Sequence, residues 1–269
     1  MKNVLTIAGS DTCGGAGIQA DLKTFSAHGT YGMSVITAVT VQNTQGVFGC
    51  QDITPEIIAG QIDAIFTDIF HVDAVKVGMV SQIETINTIA DKLEKYKPAN
   101  VVIDPVMISK SGFDLLQPEA KDALIKRLIP LATVLTPNLP EAEVITGMKI
   151  DNLESMEEAA RKIHEMGAKN VFVKGGHLED DATDILFDGE KMIKLPGKRI
   201  NTKNTHGTGC TISSAIAANL ANGLTVEEAV KSAKEYITTA IEHSFAIGQG
   251  VGPTNHFYTL YKKAGLNCE

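Results

Sequence analysis

Apolar runs of only three to seven residues recur along this chain, and segments with apolar residues at helical spacing lie between them. Val4–Ala8, Val35–Val41, Ala74–Val77, Val101–Ile103, Val134–Thr136 and Val171–Val173 read as strands. Between them, helices are expected from Ile18 to His28, with Gly29 as a stop, and from Pro55, carrying Ile57, Ile58, Ile62, Ile65 and Phe66. Further helices are expected over Ile83–Leu93, 118–128 and 154–166, and the last third is helical again over 211–245. Strands alternating with amphipathic helices predict an α/β protein with a doubly wound, mostly parallel sheet flanked by helices. The pattern changes near Ile185–Leu195, where two short β runs around Asp188-Gly189 signal a hairpin. No linker, repeat or low-complexity tract interrupts the chain, so residues 1–269 are expected to form one domain.

Composition narrows the partners. With 43% hydrophobic and 21% charged residues the chain has an ordinary core, and its net charge of −8 includes no Lys/Arg-rich cluster. That balance argues against nucleic acid or an anionic membrane as the main partner. An acidic protein that handles phosphates needs a few placed lysines and a divalent metal. The opening MKNVLTIAGSD has too short an apolar run for a signal peptide, and no segment reaches the length of a membrane helix. Cys13, Cys50, Cys210 and Cys268 form no CxxC pair, which suggests a reduced, cytoplasmic protein without structural zinc or disulfides.

In parallel sheets, ligands collect at the carboxyl ends of strands. Here polar residues follow the apolar runs at those ends: Gly9 and Asp11, Gln42 and Asn43, Met79, Asp104, Asn138 with Glu141, and Lys174 before Gly175-Gly176. Gly15-Ala16-Gly17-Ile18-Gln19-Ala20 fits G-x-G-x-x-A, but the next strand ends in Gln42-Asn43 with no acid for a ribose hydroxyl, so the dinucleotide reading is weak. No Walker-type phosphate loop occurs. The better phosphate candidate is Gly207-Thr208-Gly209, which opens a helix whose Ile212, Ile216 and Leu220 form an apolar face. Cys210 sits in its first turn, where the helix field favours a thiolate. The residues alone leave two readings, an anion hole beside an ionisable side chain or a small buried cysteine behind a glycine turn.

The run GTGCT before a helix resembles the anion-hole motif of the ribokinase-like superfamily. LTIAGSDTCGGAGIQADLKTF, YGMSVITAVTVQNTQGV, VIDPVMISKSG, TPNLPEAE, VKGGHLED, NTKNTHGTGCT and GPTNHFY resemble the hydroxymethylpyrimidine/phosphomethylpyrimidine kinases of thiamine biosynthesis, and these blocks cover almost the whole chain. The resemblance implies a ribokinase-like three-layer fold and transfer of the γ-phosphoryl of ATP to 4-amino-5-hydroxymethyl-2-methylpyrimidine, then to its monophosphate. ATP and Mg²⁺ are the implied cofactors, a small molecule is the partner, and a homodimer is the expected assembly. Sugar kinases of the superfamily carry Asp as the last residue of the glycine motif. Here it is Cys210, a mark of the pyrimidine and pyridoxal kinase branch.

On that resemblance Cys210 is the base for the substrate hydroxyl, and Gly207, Thr208 and Gly209 offer backbone N–H groups to the transferring phosphoryl. Lys174, Asn138, Asp104 and Thr208 meet ATP, while Glu141 and Asp104 organise Mg²⁺ largely through water. Gln42 is the specificity residue, because an amide both donates to and accepts from an aminopyrimidine edge. Gly9, Asp21 and Met79 complete the pocket, and Lys110 lies in a flap over the substrate. The plain alternative for Asp21 is a solvated helix carboxylate, and for Glu141 an exposed helix-start carboxylate. Three further readings rank lower: a pyridoxine or pyridoxal kinase of the same fold, a cysteine hydrolase built on Cys210 and His206, and a dinucleotide oxidoreductase.

Overall fold

A computed structural model describes residues 1–107, 115–176 and 182–266. Its strands are β1 (Asn3–Ser10), β2 (Tyr31–Asn43), β3 (Gly46–Asp52), β4 (Ala74–Val77), β5 (Val101–Ile103), β6 (Val134–Leu135), β7 (Val171–Val173), β8 (Asp184–Phe187) and β9 (Met192–Leu195). They form one sheet in the order β3-β2-β1-β4-β5-β6-β7-β8-β9. The six strands from β2 to β7 in that order pair in parallel, whereas β3, β8 and β9 are antiparallel additions at the two edges. The chain winds outward from β1 in one direction and from β4 in the other. The switch point between β1 and β4 therefore places the residues after those strands, Asp11 and Gly78-Met79, at a crevice.

The helices follow the sequence expectation with three departures. α1 (Gly17–Ala27), α2 (Pro55–Asp68) and α3 (Ile83–Tyr96) form as anticipated. The helix expected over 118–128 is instead a 3-10 turn (Pro118–Ala120), a short α4 (Lys121–Ala123), a π turn (Leu124–Leu128) and a 3-10 turn (Ile129–Leu131). Pro130, which lacks an amide hydrogen, lies in the last of these and marks where regular helix gives out. α5 (Leu139–Thr146) and β3 are elements for which the sequence reading holds no expectation. α5 has only eight residues, too few for a periodic signal. β3, GVFGCQD, holds two glycines and little alternation. The C-terminal part continues with α6 (Leu153–Glu165), α7 (Thr208–Ala221), α8 (Val226–Glu242) and α9 (Tyr258–Lys263).

Two apolar layers cover the sheet. One packs α2, α3, α5 and α6 against residues such as Leu5, Ile7, Val75, Val77 and Ile103. The other packs α1, α7 and α8 against Val4, Ala74, Val102 and Phe172. α7 is buried on all sides from Thr211 to Ala221, so its sequence TISSAIAANLA is built of small residues that let neighbours approach. The apolar positions Ile212, Ile216 and Leu220 are all buried, as their spacing anticipates.

One charged pair lies inside the second layer. Lys76 occupies a strand whose four residues are all buried, and its ammonium lies 2.9 Å from Asp21 Oδ2 and 3.0 Å from Oδ1. Both side chains are fully sequestered. Asp21 also accepts from Thr6 Oγ1 and from Ser214 Oγ, each at 2.6 Å. A carboxylate that accepts four hydrogen bonds from three donor groups is satisfied, so the pair ties β1, β4, α1 and α7 together at a single point. Removing one member strands the other. Lys76→Met is expected to cost about 3–5 kcal/mol in urea unfolding, and adding Asp21→Asn to it should recover much of that loss.

Candidate active site

Two glycine turns meet at the switch point. In the first, Asp11 folds back onto the turn that follows β1 and accepts from the N–H groups of Cys13 (3.0 Å), Gly15 (2.9 Å) and Ala16 (2.8 Å). Burial works to raise its carboxyl. The His206 ring and these amides outweigh that and hold it below the usual carboxylate range. The amides that a dinucleotide pyrophosphate would need are thus already occupied by a protein carboxylate, which argues against the oxidoreductase reading. The second turn carries Gly207 at φ 78°, a left-handed conformation that suits glycine. A Cβ on Gly207 would collide with the Gly15 carbonyl, so the two turns interlock only because both are bare.

That contact aims α7. The Thr211 N–H closes the first helical bond onto the Gly207 carbonyl at 2.8 Å, so the amides of Gly209 and Cys210 ahead of it have no acceptor within the helix. Thr208 is anchored by its hydroxyl, which donates to the Thr205 carbonyl at 2.8 Å. Cys210 accepts from the Gly17 N–H and lies one helical turn above Ser214, hence above the Asp21–Lys76 pair. Its thiol is not predisposed to ionise, contrary to the expectation from its place at a helix start. Burial pushes it up to about 11 despite the nearby Lys76 ammonium, and the Asp21 and Asp104 carboxylates add to the rise.

Opposite the α7 start, Lys174 follows β7 and donates to Asp104 Oδ1 at 2.9 Å. Thr136 Oγ1 donates to the same oxygen at 3.1 Å. Burial alone would lower the Lys174 ammonium, but Asp104 and Glu141 keep it above its ordinary value. Gly209 is bare here too, since a Cβ would stand 3.3 Å from Asp104 Oδ2 and 3.4 Å from Lys174 Nζ. Asn138 and Glu141 form a reciprocal cap of α5: the Asn138 oxygen accepts from the Glu141 N–H at 2.9 Å, and Glu141 Oε2 accepts from the Asn138 N–H at 2.8 Å. Glu141 is 6% exposed, not a surface carboxylate. Burial raises it to about 7 with Asp104 adding and Lys174 opposing.

These groups share a cavity of about 590 Å³, large enough for a small substrate with a nucleotide tail. Gly9, Gln42, Met79, Asp104, Asn138, Glu141, Lys174, Gly207, Thr208, Gly209 and Cys210 all line it. Asp21 does not: it is buried beneath Cys210 in the ion pair with Lys76, neither in the pocket wall nor solvated. Lys110 lies outside the described residues. Sequence reasoning missed the wall formed by Thr44–Val47, the turn between β2 and β3 with the start of β3, which is fixed by Thr44 O accepting from the Val251 N–H at 2.7 Å. The sequence NTQG is a turn signal, but the contact partner is some two hundred residues away.

His206 makes its hydrogen-bond contacts with Asp11 and Gln42, not with Cys210, so the hydrolase dyad is not assembled. Among the described residues, the one cluster of three potential metal ligands is Asp11, Cys13 and His206. Asp11 there is already saturated by amides. Glu141 suits Mg²⁺ better. Its carboxylate faces the cavity while accepting backbone N–H groups of Asn138 and Met107, leaving lone pairs for an ion that keeps its own waters.

A mostly parallel α/β sheet with unpaired amides at a helix start, a strand-end lysine and a buried glutamate around one cavity is the arrangement of a small-molecule kinase of the ribokinase-like class. A family model for phosphomethylpyrimidine kinase matches residues 11–255. The hydroxymethylpyrimidine/phosphomethylpyrimidine kinase of Rhizobium meliloti is 54% identical over 96% of this chain and 98% of its own length. The bifunctional thiamine biosynthesis protein ThiED of Geobacter sulfurreducens is also 54% identical, over 94% of this chain, although the chain spans only 52% of that longer protein. Among solved structures, an ADP complex of Bacillus subtilis pyridoxal kinase superposes with a TM-score of 0.89 at 45% identity, covering 96% of this chain and 98% of the other. The chain belongs to the phosphomethylpyrimidine kinase family.

The electrostatics of Cys210 make a prediction. In the free protein its alkylation rate by iodoacetamide, read as the label lost in Cys210→Ser, should climb steadily from pH 7 to 10 without a plateau. A rate half-maximal near pH 8.5 and levelling off by about pH 10, the behaviour of an ordinary thiol, would contradict the burial argument.

Proposed function

We propose that this chain transfers the γ-phosphoryl group of ATP to 4-amino-5-hydroxymethyl-2-methylpyrimidine and then to the resulting monophosphate. The observation that carries this reading is the placing of Gln42 and of the α7 start with Lys174 on the walls of one cavity. An aminopyrimidine edge paired with Gln42 leaves its hydroxymethyl group to reach toward Cys210, and the phosphates extend toward Lys174.

In this scheme the free amides of Gly209 and Cys210 meet the γ-phosphoryl oxygens, whose charge grows as the bond to the leaving group stretches. Lys174 draws the phosphates as a point charge, and Asp104 holds that ammonium in place. The substrate oxygen forms its bond to phosphorus, the bond to the β-phosphate oxygen breaks, and ADP leaves with that electron pair. Cys210 first gives its own proton to solvent, and the hydroxyl proton then passes to the resulting thiolate. Because such transition states are loose, the proton leaves late, and the thiolate of a thiol raised to about 11 is strong enough as a base at that stage. Mg²⁺, when bound, neutralises the phosphate oxygens. Glu141 and Asn138 would hold its hydration shell.

The second phosphorylation differs in one respect: its acceptor is a phosphate oxygen that is already ionised. Cys210→Ala is therefore expected to slow the first step by roughly 10²–10⁴-fold and the second by far less, read in separate ADP-release assays. Equal losses in the two steps would remove Cys210 as the base. Gln42→Leu should raise KM for the pyrimidine about tenfold and leave KM for ATP unchanged. An unaltered pyrimidine KM would defeat the Gln42 assignment.

The likeness to the Bacillus pyridoxal kinase favours a second reading, pyridoxine or pyridoxal phosphorylation by the same site. ADP release measured with hydroxymethylpyrimidine, its monophosphate, pyridoxine and pyridoxal separates the two. The first reading expects the pyrimidines to have the higher kcat/KM.

A further inference from the structure

The hydrogen-bond roles around Gln42 are over-determined. His206 Nε2 lies 2.9 Å from Asp11 Oδ2 and 3.3 Å from the Gln42 amide, while the other end of that amide lies 3.2 Å from Thr40 Oγ1. Asp11 is an ionised carboxylate that collects three backbone N–H groups, so the imidazole nitrogen facing it carries a hydrogen. An N–H end of Gln42 turned toward His206 would then oppose donor to donor. Thr40 Oγ1 settles the other side: it donates its one hydrogen to the Ser10 carbonyl at 2.9 Å, so it can only accept from Gln42. One arrangement avoids every like-against-like contact: Gln42 Oε1 faces His206 and shares its single Nε2 hydrogen with Asp11 Oδ2, while Gln42 Nε2 faces Thr40.

The ring that imposes this arrangement is itself fixed. His206 is 8% exposed, its backbone N–H donates to Gly252 O at 3.0 Å, and it lies so close over Gly15 that a Cβ there would come within 2.5 Å of its Cδ2. Asp11, through His206, thus reaches Gln42 from a different loop of the fold.

We propose that His206, held by Asp11, and Thr40 are positioning residues that lock the Gln42 amide in one orientation and so determine which ring edge the site accepts. With Oε1 and Nε2 fixed, the remaining lone pair of Oε1 accepts from an exocyclic amino group and the second hydrogen of Nε2 goes to a ring nitrogen. A ring carrying a carbonyl beside an N–H presents the reverse pattern and meets like against like. This rests on the Gln42 assignment made above.

The test compares the aminopyrimidine with its 4-oxo analogue, in which C=O and N–H replace the amino group and ring nitrogen. In the full-length chain, His206→Phe keeps the ring bulk and Thr40→Val keeps the shape. Each is expected to lower the amino-over-oxo ratio of kcat/KM about tenfold, through a higher pyrimidine KM, with KM for ATP unchanged. In a Gln42→Leu background neither should change the ratio further. If both variants keep the parental ratio, or lose both substrates equally, while Gln42→Leu collapses it, the positioning role is overturned and the Gln42 assignment stands. If Gln42→Leu itself leaves the ratio and the pyrimidine KM unchanged, the Gln42 assignment falls and takes this inference with it. Should His206→Phe fail to fold, Thr40→Val decides alone.

Discussion

A lysine in the middle of a four-residue buried strand is expensive unless a carboxylate meets it, and much of this site depends on how that cost is met. Asp21 on α1 supplies the charge, and the hydroxyls of Thr6 and Ser214 fill its remaining lone pairs. Ser214 is one turn after Cys210, so the bond that completes the carboxylate also fixes the depth and rotation of α7. The free amides at the head of that helix are aimed by a charge pair that never touches the cavity. Four elements share the pair, and none can slide without breaking a buried, charge-assisted bond.

Glycine does the complementary work at the surface of the site. Gly207 lies against the Gly15 carbonyl, Gly209 against Asp104 and Lys174, and Gly15 beneath the His206 ring. At each point a side chain would fill space needed by backbone or by a charged group. The result is a cavity wall with amides left unpaired on one turn and consumed on the other: the turn at Gly207 leaves the N–H groups of Gly209 and Cys210 without a partner in the helix, whereas the turn at Gly15 gives its own to Asp11. Two glycine-rich helix starts of similar sequence appearance therefore use their amides in opposite ways. Only the carboxylate inserted into the first one distinguishes them.

That distinction marks the limit of what the sequence could reveal. The short apolar runs identified the parallel strands because burial on both faces leaves no room for polar residues, and the polar residues that end those runs converge on one rim by topology alone. Features that depend on pairing across the chain were not legible. Asp21 reads as a helix carboxylate until Lys76, 55 positions away, is placed beside it. α5 is held by the reciprocal Asn138–Glu141 cap and by burial, not by a periodic face, and the segment after residue 118 changes helical pitch as Pro130 approaches. The acidity of Cys210 was misjudged because the helix start was weighed without the depth of the site or the two carboxylates around it.

A raised thiol pKa fits phosphoryl transfer better than a lowered one. In the proposed transfer, a permanently ionised cysteine would add negative charge beside the γ-phosphate and oppose the α7 amides. A thiol that rests neutral avoids that repulsion; to act as base it must first give its own proton to solvent, and the thiolate so formed is a stronger base than one of ordinary acidity. The Lys76 ammonium below can stabilise the thiolate once formed, but Asp21 offsets most of its charge at rest. The buried pair thus holds α7 in place without ionising its cysteine. An unpaired lysine at the same position would ionise the thiol early and lose that advantage.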